Sequence, residues 1–355
     1  MKRRNVIFII LVLLWAIVTG IYYYFDTEEF QTIGKLKVST KILTNLSEKV
    51  EDNSIWCGTF QLVWNELKEE YNAGNSIMFT AGNTTEVDNL NASIFTKDNL
   101  NDNSYYLKHG LVNSNLKKEI EVAIKNKFNE ESDILDGFDW TPGKDKYIIY
   151  SMLIKNVEFI EKFEKLKNGK FNDTDNVKYF GIEEKQKELK DQVNVLFYDD
   201  NENFAVELIT KTDDVIILEK GSNKNTFLEI YNEVMAKSKK YKNHSFTEED
   251  YLSVPFLETN LKQQFKQFVG KEFIADGEQY TIDDAIQTIK FKIDESGAKL
   301  KSEAGIIVEK NGIDLDSRHF DFDTDFTLFM KEDNLPYFAI RVSDINEFQE
   351  IAIKE

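Results

Sequence analysis

The sequence predicts an α+β domain, and three observations predict it. Stretches that alternate apolar and polar residues with a period of two recur along the chain, as half-buried strands do. Between them stand apolar stripes spaced three and four residues apart, as on amphipathic helices. Hydrophobic residues make up 41 % of the 355 positions, enough material for one large core or two ordinary ones.

The chain begins with Lys2-Arg3-Arg4, followed by the apolar run Val6–Phe25. A helix of that length spans about 30 Å, the thickness of a bilayer core. Tyr22-Tyr23-Tyr24 stand where an interfacial aromatic belt would lie. The pattern predicts a cytoplasmic basic segment at 1–4, one transmembrane anchor at 5–25, and the bulk of the chain outside the cell membrane. The alternative is a cleaved signal peptide, for which Val18-Thr19-Gly20 offers small residues, giving a secreted protein. Residues 26–50 read as a polar linker and a helix, with Leu36, Ile42, Leu43, Leu46 and Val50 on its apolar side. The main domain then runs from 51 to 355.

Within it, Phe60, Val63, Trp64, Leu67 and Tyr71 form a helical stripe closed by Gly74. A second helix follows Ser114, with Leu116, Ile120, Ile124 and Phe128 on one side. Tyr147–Ile154 is a continuous apolar run, which reads as a strand buried on both faces. Val193–Tyr198, Phe204–Ile209 and Val215–Leu218 are spaced as a meander with acidic turns. Thr226 and Glu229 form a capping box that opens a helix with Phe227, Ile230, Tyr231 and Val234 inward. Val254-Pro255-Phe256 is extended, and Leu261, Phe265 and Phe268 read as a helix ended by Gly270. Phe320, Phe322, Phe326, Leu328 and Met330 alternate as one strand, and Pro336–Val342 closes the domain as another.

Charge narrows the function classes. The formal charge is −19; Lys2, Arg3 and Arg4 contribute +3, so the rest carries −22. That excludes a nucleic-acid binder, which needs basic surface. No Gly-rich phosphate loop, zinc spacing or nucleophile elbow occurs, so no enzyme and no cofactor or metal is expected. The lone Cys57 reads as a buried thiol. Asp321, Asp323, Asp325 and Glu332 have the spacing of a calcium loop, but Phe326 stands where such a loop needs Gly. Those acids read as the solvent face of a strand.

One stretch, Gln287–Lys310, organises the rest. Ile289, Phe291 and Ile293 point one way, and Lys290, Lys292 and Asp294 the other. After the break Asp294-Glu295-Ser296-Gly297 the alternation resumes. Ala298, Leu300, Ser302, Ala304, Ile306 and Val308 share one face; Lys299, Lys301 and Glu303 share the other. On pattern alone this is equally an ordinary β-hairpin.

Ile293-Asp294-Glu295-Ser296-Gly297 also resembles the hinge of a serpin, where a strand feeds a long reactive loop. Tyr147–Ile154 with its Phe159/Phe163 tail resembles the central strand of that family, and Pro336–Val342 its closing strand. In all, the resemblance covers about Ile55 to Val342. It implies a large central, mostly antiparallel sheet with smaller sheets and flanking helices. It also implies a hinge at Glu295, Gly297, Ala298 and Leu300, with Lys310 or Asn311 at the scissile bond. The expected function is that of a divergent bacterial, monomeric peptidase inhibitor. It would trap an extracellular serine or cysteine protease by inserting its loop into the main sheet as an extra strand. A non-inhibitory binding or scaffold module at the cell surface is the alternative. Two departures stand out. Cys57-Gly58-Thr59 replaces the usual Ser-Pro step, and Leu300-Lys301 interrupt the usual run of small residues.

Overall fold

The computed structural model describes residues 39–143, 146–183, 187–275, 277–298 and 317–349. The expected anchor at 5–25, and the positions Leu300, Lys310 and Asn311, lie outside the described residues. Among the described residues no helix is long and apolar enough to cross a membrane.

In chain order the first strands and helices are β1 (Lys41–Leu43), β2 (Ser54–Cys57), α1 (Thr59–Asn72), α2 (Thr85–Asn91), β3 (Tyr105–Leu111), α3 (Ser114–Phe128) and β4 (Tyr147–Leu153). Short strands follow: β5 (Val157–Glu158), β6 (Glu164–Lys165), β7 (Gly169–Phe171), β8 (Thr174–Val177) and β9 (Tyr179–Ile182). Then come α4 (Lys187–Lys190), β10 (Val193–Asp200), β11 (Asn203–Ile209), β12 (Val215–Lys220) and α5 (Phe227–Ser238). The chain continues through β13 (Tyr251–Pro255), β14 (Leu257–Gln264), β15 (Glu272–Ala275), β16 (Glu278–Thr281), β17 (Ile286–Ile293) and β18 (Gly297–Ala298). It closes with β19 (His319–Asp321), β20 (Phe326–Lys331) and β21 (Pro336–Val342).

The largest sheet has seven strands in the order β1-β2-β21-β20-β12-β11-β10. Every pair in it is antiparallel except β1 with β2. Its middle strands are apolar runs, such as Ile216-Ile217-Leu218 and Phe326–Met330, and they are buried on both faces. α5 covers one part of it: Phe227 and Tyr231 meet Phe329 edge-on at 6.1 and 5.7 Å between ring centres. A four-stranded sheet, β19-β13-β9-β6, packs beside it. The seam is aromatic, with Phe320 and Phe322 both against Phe204.

Several expectations are corrected. Residues 39–50 form β1 and turns, with no helix, because Lys41–Leu43 adds in parallel to β2. The 26–50 segment is therefore partly inside the domain. Leu261 lies on strand β14, and Phe265 and Phe268 sit in the turns after it, buried against Phe60 of α1. Phe320 and Phe326 belong to separate strands in separate sheets. The acids of the calcium-like spacing diverge instead of converging. Asp323 pairs with Lys220, Asp325 with Arg341, and Glu332 with Lys155.

The most consequential correction concerns Tyr147–Ile154. Its strand β4 is half-exposed and pairs with β3 in a two-stranded ribbon. A second ribbon pairs β14 with β17 along eight residues, from Leu257 opposite Ile293 to Gln264 opposite Ile286. The ribbons belong to different cores. Ile289, Phe291 and Ile293 of β17 join the main core. Ile148 and Tyr150 of β4 join a small separate one with Leu116, Ile120 and Ile124 of α3. α1 reaches both ribbons. Its Tyr71 ring meets Tyr147 of β4, and Thr59 accepts a hydrogen bond from Gln287 of β17.

Candidate functional site: the two roots of the 299–316 segment

The predicted hinge forms a tight turn. The Asp294 N–H donates to the Gly297 carbonyl at 3.1 Å, and the Gly297 N–H returns to the Asp294 carbonyl at 3.2 Å. The Ser296 N–H donates to the Asp294 carboxylate at 2.8 Å, an Asx turn that sets the reversal. The chain leaves this turn as β18, antiparallel to β5, with Gly297 opposite Glu158 and Ala298 opposite Val157. β18 thus has the end of β17 on one side and β5 on the other, and those two strands run the same way.

Gly297 is required here. Its φ is +127°, and a Cβ would stand 2.2 Å from the Val157 carbonyl oxygen and 2.8 Å from the Glu158 Cα. No side chain can enter without moving backbone. Ala298 is buried, as its place on the inward face predicts.

Glu295 is buried too. Its carbonyl accepts from the Phe163 N–H at 2.8 Å, while the Ser296 carbonyl accepts from Phe159. Its carboxylate meets Lys162 at 2.9 Å and Lys165 at 3.2 Å, and both lysines are mostly in solvent. Burial alone would push the Glu295 carboxyl up. Lys162, the residue's own backbone N–H and Lys165 together outweigh it and hold the carboxyl below its ordinary value.

The partner of β18 is fixed to the largest sheet. Lys155, just before β5, lies between Asp214 at 2.9 Å and Glu332 at 2.5 Å, over the Tyr337 ring, with its side chain only 10 % exposed. Lys211 donates through its backbone to the Glu158 carbonyl and through its ammonium to the Glu158 carboxylate. The sequence reading missed this clamp, because its members are spread over 182 positions of chain from Lys155 to Tyr337 and no local pattern unites them.

The other root is Arg318, which stands just before β19. Its Nε and backbone N–H both donate to Asp250 Oδ1, and Nη2 donates to Oδ2 at 2.7 Å. Its remaining donors reach the Tyr241 hydroxyl and the Asn243 and Ser245 carbonyls. Burial works against charge at both groups. Pairing wins, raising the Arg318 guanidinium and lowering the Asp250 carboxyl. The sequence did carry a signal. Beyond Arg4 the chain has only Arg318 and Arg341 against thirty-nine lysines, and a buried fork of donors is the use that lysine cannot fill.

Cys57 is half-buried at the end of β2, and burial pushes its thiol up, away from the nucleophilic thiolate.

No family model and no curated protein matches the chain. Solved structures do resemble it. Serpin48 from the insect Tenebrio molitor aligns at 12 % identity and a TM-score of 0.48, covering 82 % of this chain and 92 % of that one. The thermophilic serpin tengpin, in its native state, aligns at 12 % and 0.49, covering 84 % and 90 %. Human thyroxine-binding globulin complexed with thyroxine aligns at 10 % and 0.47, covering 82 % and 91 %. At these identities and scores the likeness fixes neither a family nor a function for this chain.

Proposed function

We propose that this chain is a membrane-anchored, extracytoplasmic protein of serpin-like fold that inhibits a serine or cysteine protease by strand insertion. The observation that carries the reading is the position of Gly297 and Ala298. They form a short strand whose extension in the same register would lead between β17 and β4. Entry would then occur between the two ribbons and not into the seven-stranded sheet, whose neighbouring strands are already bonded to each other.

In this reading a protease attacks the segment between about Ile307 and Arg318, with Lys310 or Asn311 before the scissile bond, and an acyl-enzyme forms. The freed end follows Ala298 inward and carries the enzyme with it. Leu300, Ile306 and Val308 become buried, each contributing about 1.5–3 kcal/mol, and new ladder hydrogen bonds add to that. Distortion of the bound protease stops deacylation. Lys310 would suit a trypsin-like enzyme.

The test is incubation with a panel of trypsin-like and subtilisin-like proteases. An SDS-stable covalent complex is the expected product, with a higher melting temperature for the cleaved chain. Cleavage with no complex and no rise in melting temperature would overturn inhibition. The second reading, a non-inhibitory binding or scaffold module at the cell surface, draws its support from Leu300 and Lys301. They stand where rapid insertion calls for small residues.

A further inference from the structure

The three histidines, His109, His244 and His319, stand far apart in the sequence. The fold, however, brings one of them to a pair of acids. Glu66 and Glu70 lie one turn apart on the same face of α1. His109, in the middle of β3, stands against both. Its Nδ1 is 2.8 Å from a Glu66 carboxylate oxygen, and its Nε2 is 3.2 Å from one of Glu70. One ligand atom from each of the three residues lies within 4.8 Å of the others.

Two features point to a missing positive centre. A neutral imidazole has one N–H, so it can donate to only one of the two carboxylates. At the other contact a ring lone pair faces a carboxylate oxygen, which is repulsive unless a proton or a metal ion lies there. Charge gives the same result. Among the described residues no lysine or arginine reaches Glu66 or Glu70. Lys68 turns to the Asn91 carbonyl and the Ser93 hydroxyl, Lys108 to Glu119, and Lys127 to the Asp102 carbonyl.

We propose that Glu66, Glu70 and His109 bind one divalent transition-metal ion, with Zn²⁺ as its best representative. Two carboxylates and one imidazole form a mixed oxygen–nitrogen set that suits zinc better than calcium or magnesium, which prefer oxygen alone. Ligand bonds of about 2.1 Å put neighbouring donors in a tetrahedron about 3.4 Å apart, close to the spacing of Nε2 and Glu70. Glu66 stands at Nδ1, on the other side of the ring, so it becomes the third protein ligand by turning about its own torsions away from that contact. Its side chain is 24 % exposed and that of Glu70 41 %, so the outer side stays open to water as a fourth ligand. The ion would tie α1 to β3. This proposal does not depend on protease inhibition.

The experiment strips the full chain with chelator and titrates it with ZnCl₂ at pH 7.5 by calorimetry, with CaCl₂ in parallel. One equivalent of zinc is expected, with a higher melting temperature. His109→Ala and Glu70→Gln should each weaken binding by at least roughly tenfold. Glu70→Gln keeps the side-chain shape and decides the matter if His109→Ala fails to fold. No zinc uptake overturns the site, as does uptake that none of the substitutions alters or calcium binding that ignores His109→Ala.

Discussion

The two roots of the 299–316 segment are held in opposite ways. At Arg318 every guanidinium donor is used, the partner Asp250 carboxylate is fully buried, and the connections go to backbone carbonyls as well as a side chain. At Glu295 the carboxylate is buried, but its lysine partners are 60 % and 67 % exposed. What pairs there as strand is two residues long, next to a glycine in a conformation that only glycine tolerates. One root is an anchor and the other a joint. The proposed function needs this asymmetry, and it can be tested without any protease.

The largest effect is expected at the anchor. Asp250→Ala leaves the Arg318 guanidinium buried beside carbonyl oxygens with no counter-charge. Removing one partner of a buried pair costs about 3–5 kcal/mol, far more than the net worth of the pair itself. Denaturant unfolding followed by far-UV circular dichroism measures it. A loss below that of the hinge variants would show that Arg318 is no anchor, and the comparison would fail.

Gly297→Ala comes next. The new Cβ meets the Val157 carbonyl, and alanine cannot hold a φ of +127° without strain. Forced residues of this kind cost about 1–3 kcal/mol. The short strand can relieve the strain by unpairing, so the effect should stay local. The Phe159 amide, which donates to the Ser296 carbonyl, should exchange faster by mass spectrometry while β11 and β12 keep their protection. Uniform loss of protection across the seven-stranded sheet would mean that the hinge is part of the core.

How much of this was legible in the sequence follows from how local each feature is. Ile289, Phe291 and Ile293 declared their strand and its buried face, because alternation depends on neighbours two residues away. Thr226 declared the start of α5 by capping it, with its hydroxyl accepting from the Glu229 N–H. Gly297 stood out as a break, although the φ it supplies could not be read. Tyr147–Ile154 misled. An apolar run reads as doubly buried, yet Ile148 and Tyr150 enter only the small core around α3, and the strand stays half-exposed. Phe265 and Phe268 misled in the same way, since four-residue apolar spacing fits a helix turn and also a buried corner under α1. The pairings that make the site were not legible at all. Asp250 with Arg318, and Glu66 and Glu70 with His109, are contacts across dozens of residues, set by how distant elements pack.

The smallest effect is expected at Glu295, and its sign is fixed. The folded-state carboxyl lies below its ordinary value because Lys162, its own backbone N–H and Lys165 together favour the charged form more than burial opposes it. The unfolded chain therefore binds its proton first as pH falls. The stability from this contact is fully present above about pH 4.3, the ordinary glutamate value, and is lost as pH drops through the lower folded value. Both lysine ends are open to water and screened by salt, so Glu295→Gln should cost less than about 1 kcal/mol at pH 7. Most of that difference should vanish in 0.5 M salt and again once pH falls below the folded carboxyl's lowered value. The joint and the anchor thus separate by salt as well as by size, because the buried Asp250–Arg318 pair is screened far less. An undiminished Glu295→Gln effect at high salt would place the carboxylate in a closed network like the one around Arg318. The hinge would then be locked at both ends, and strand entry beside β17 would lose its starting point.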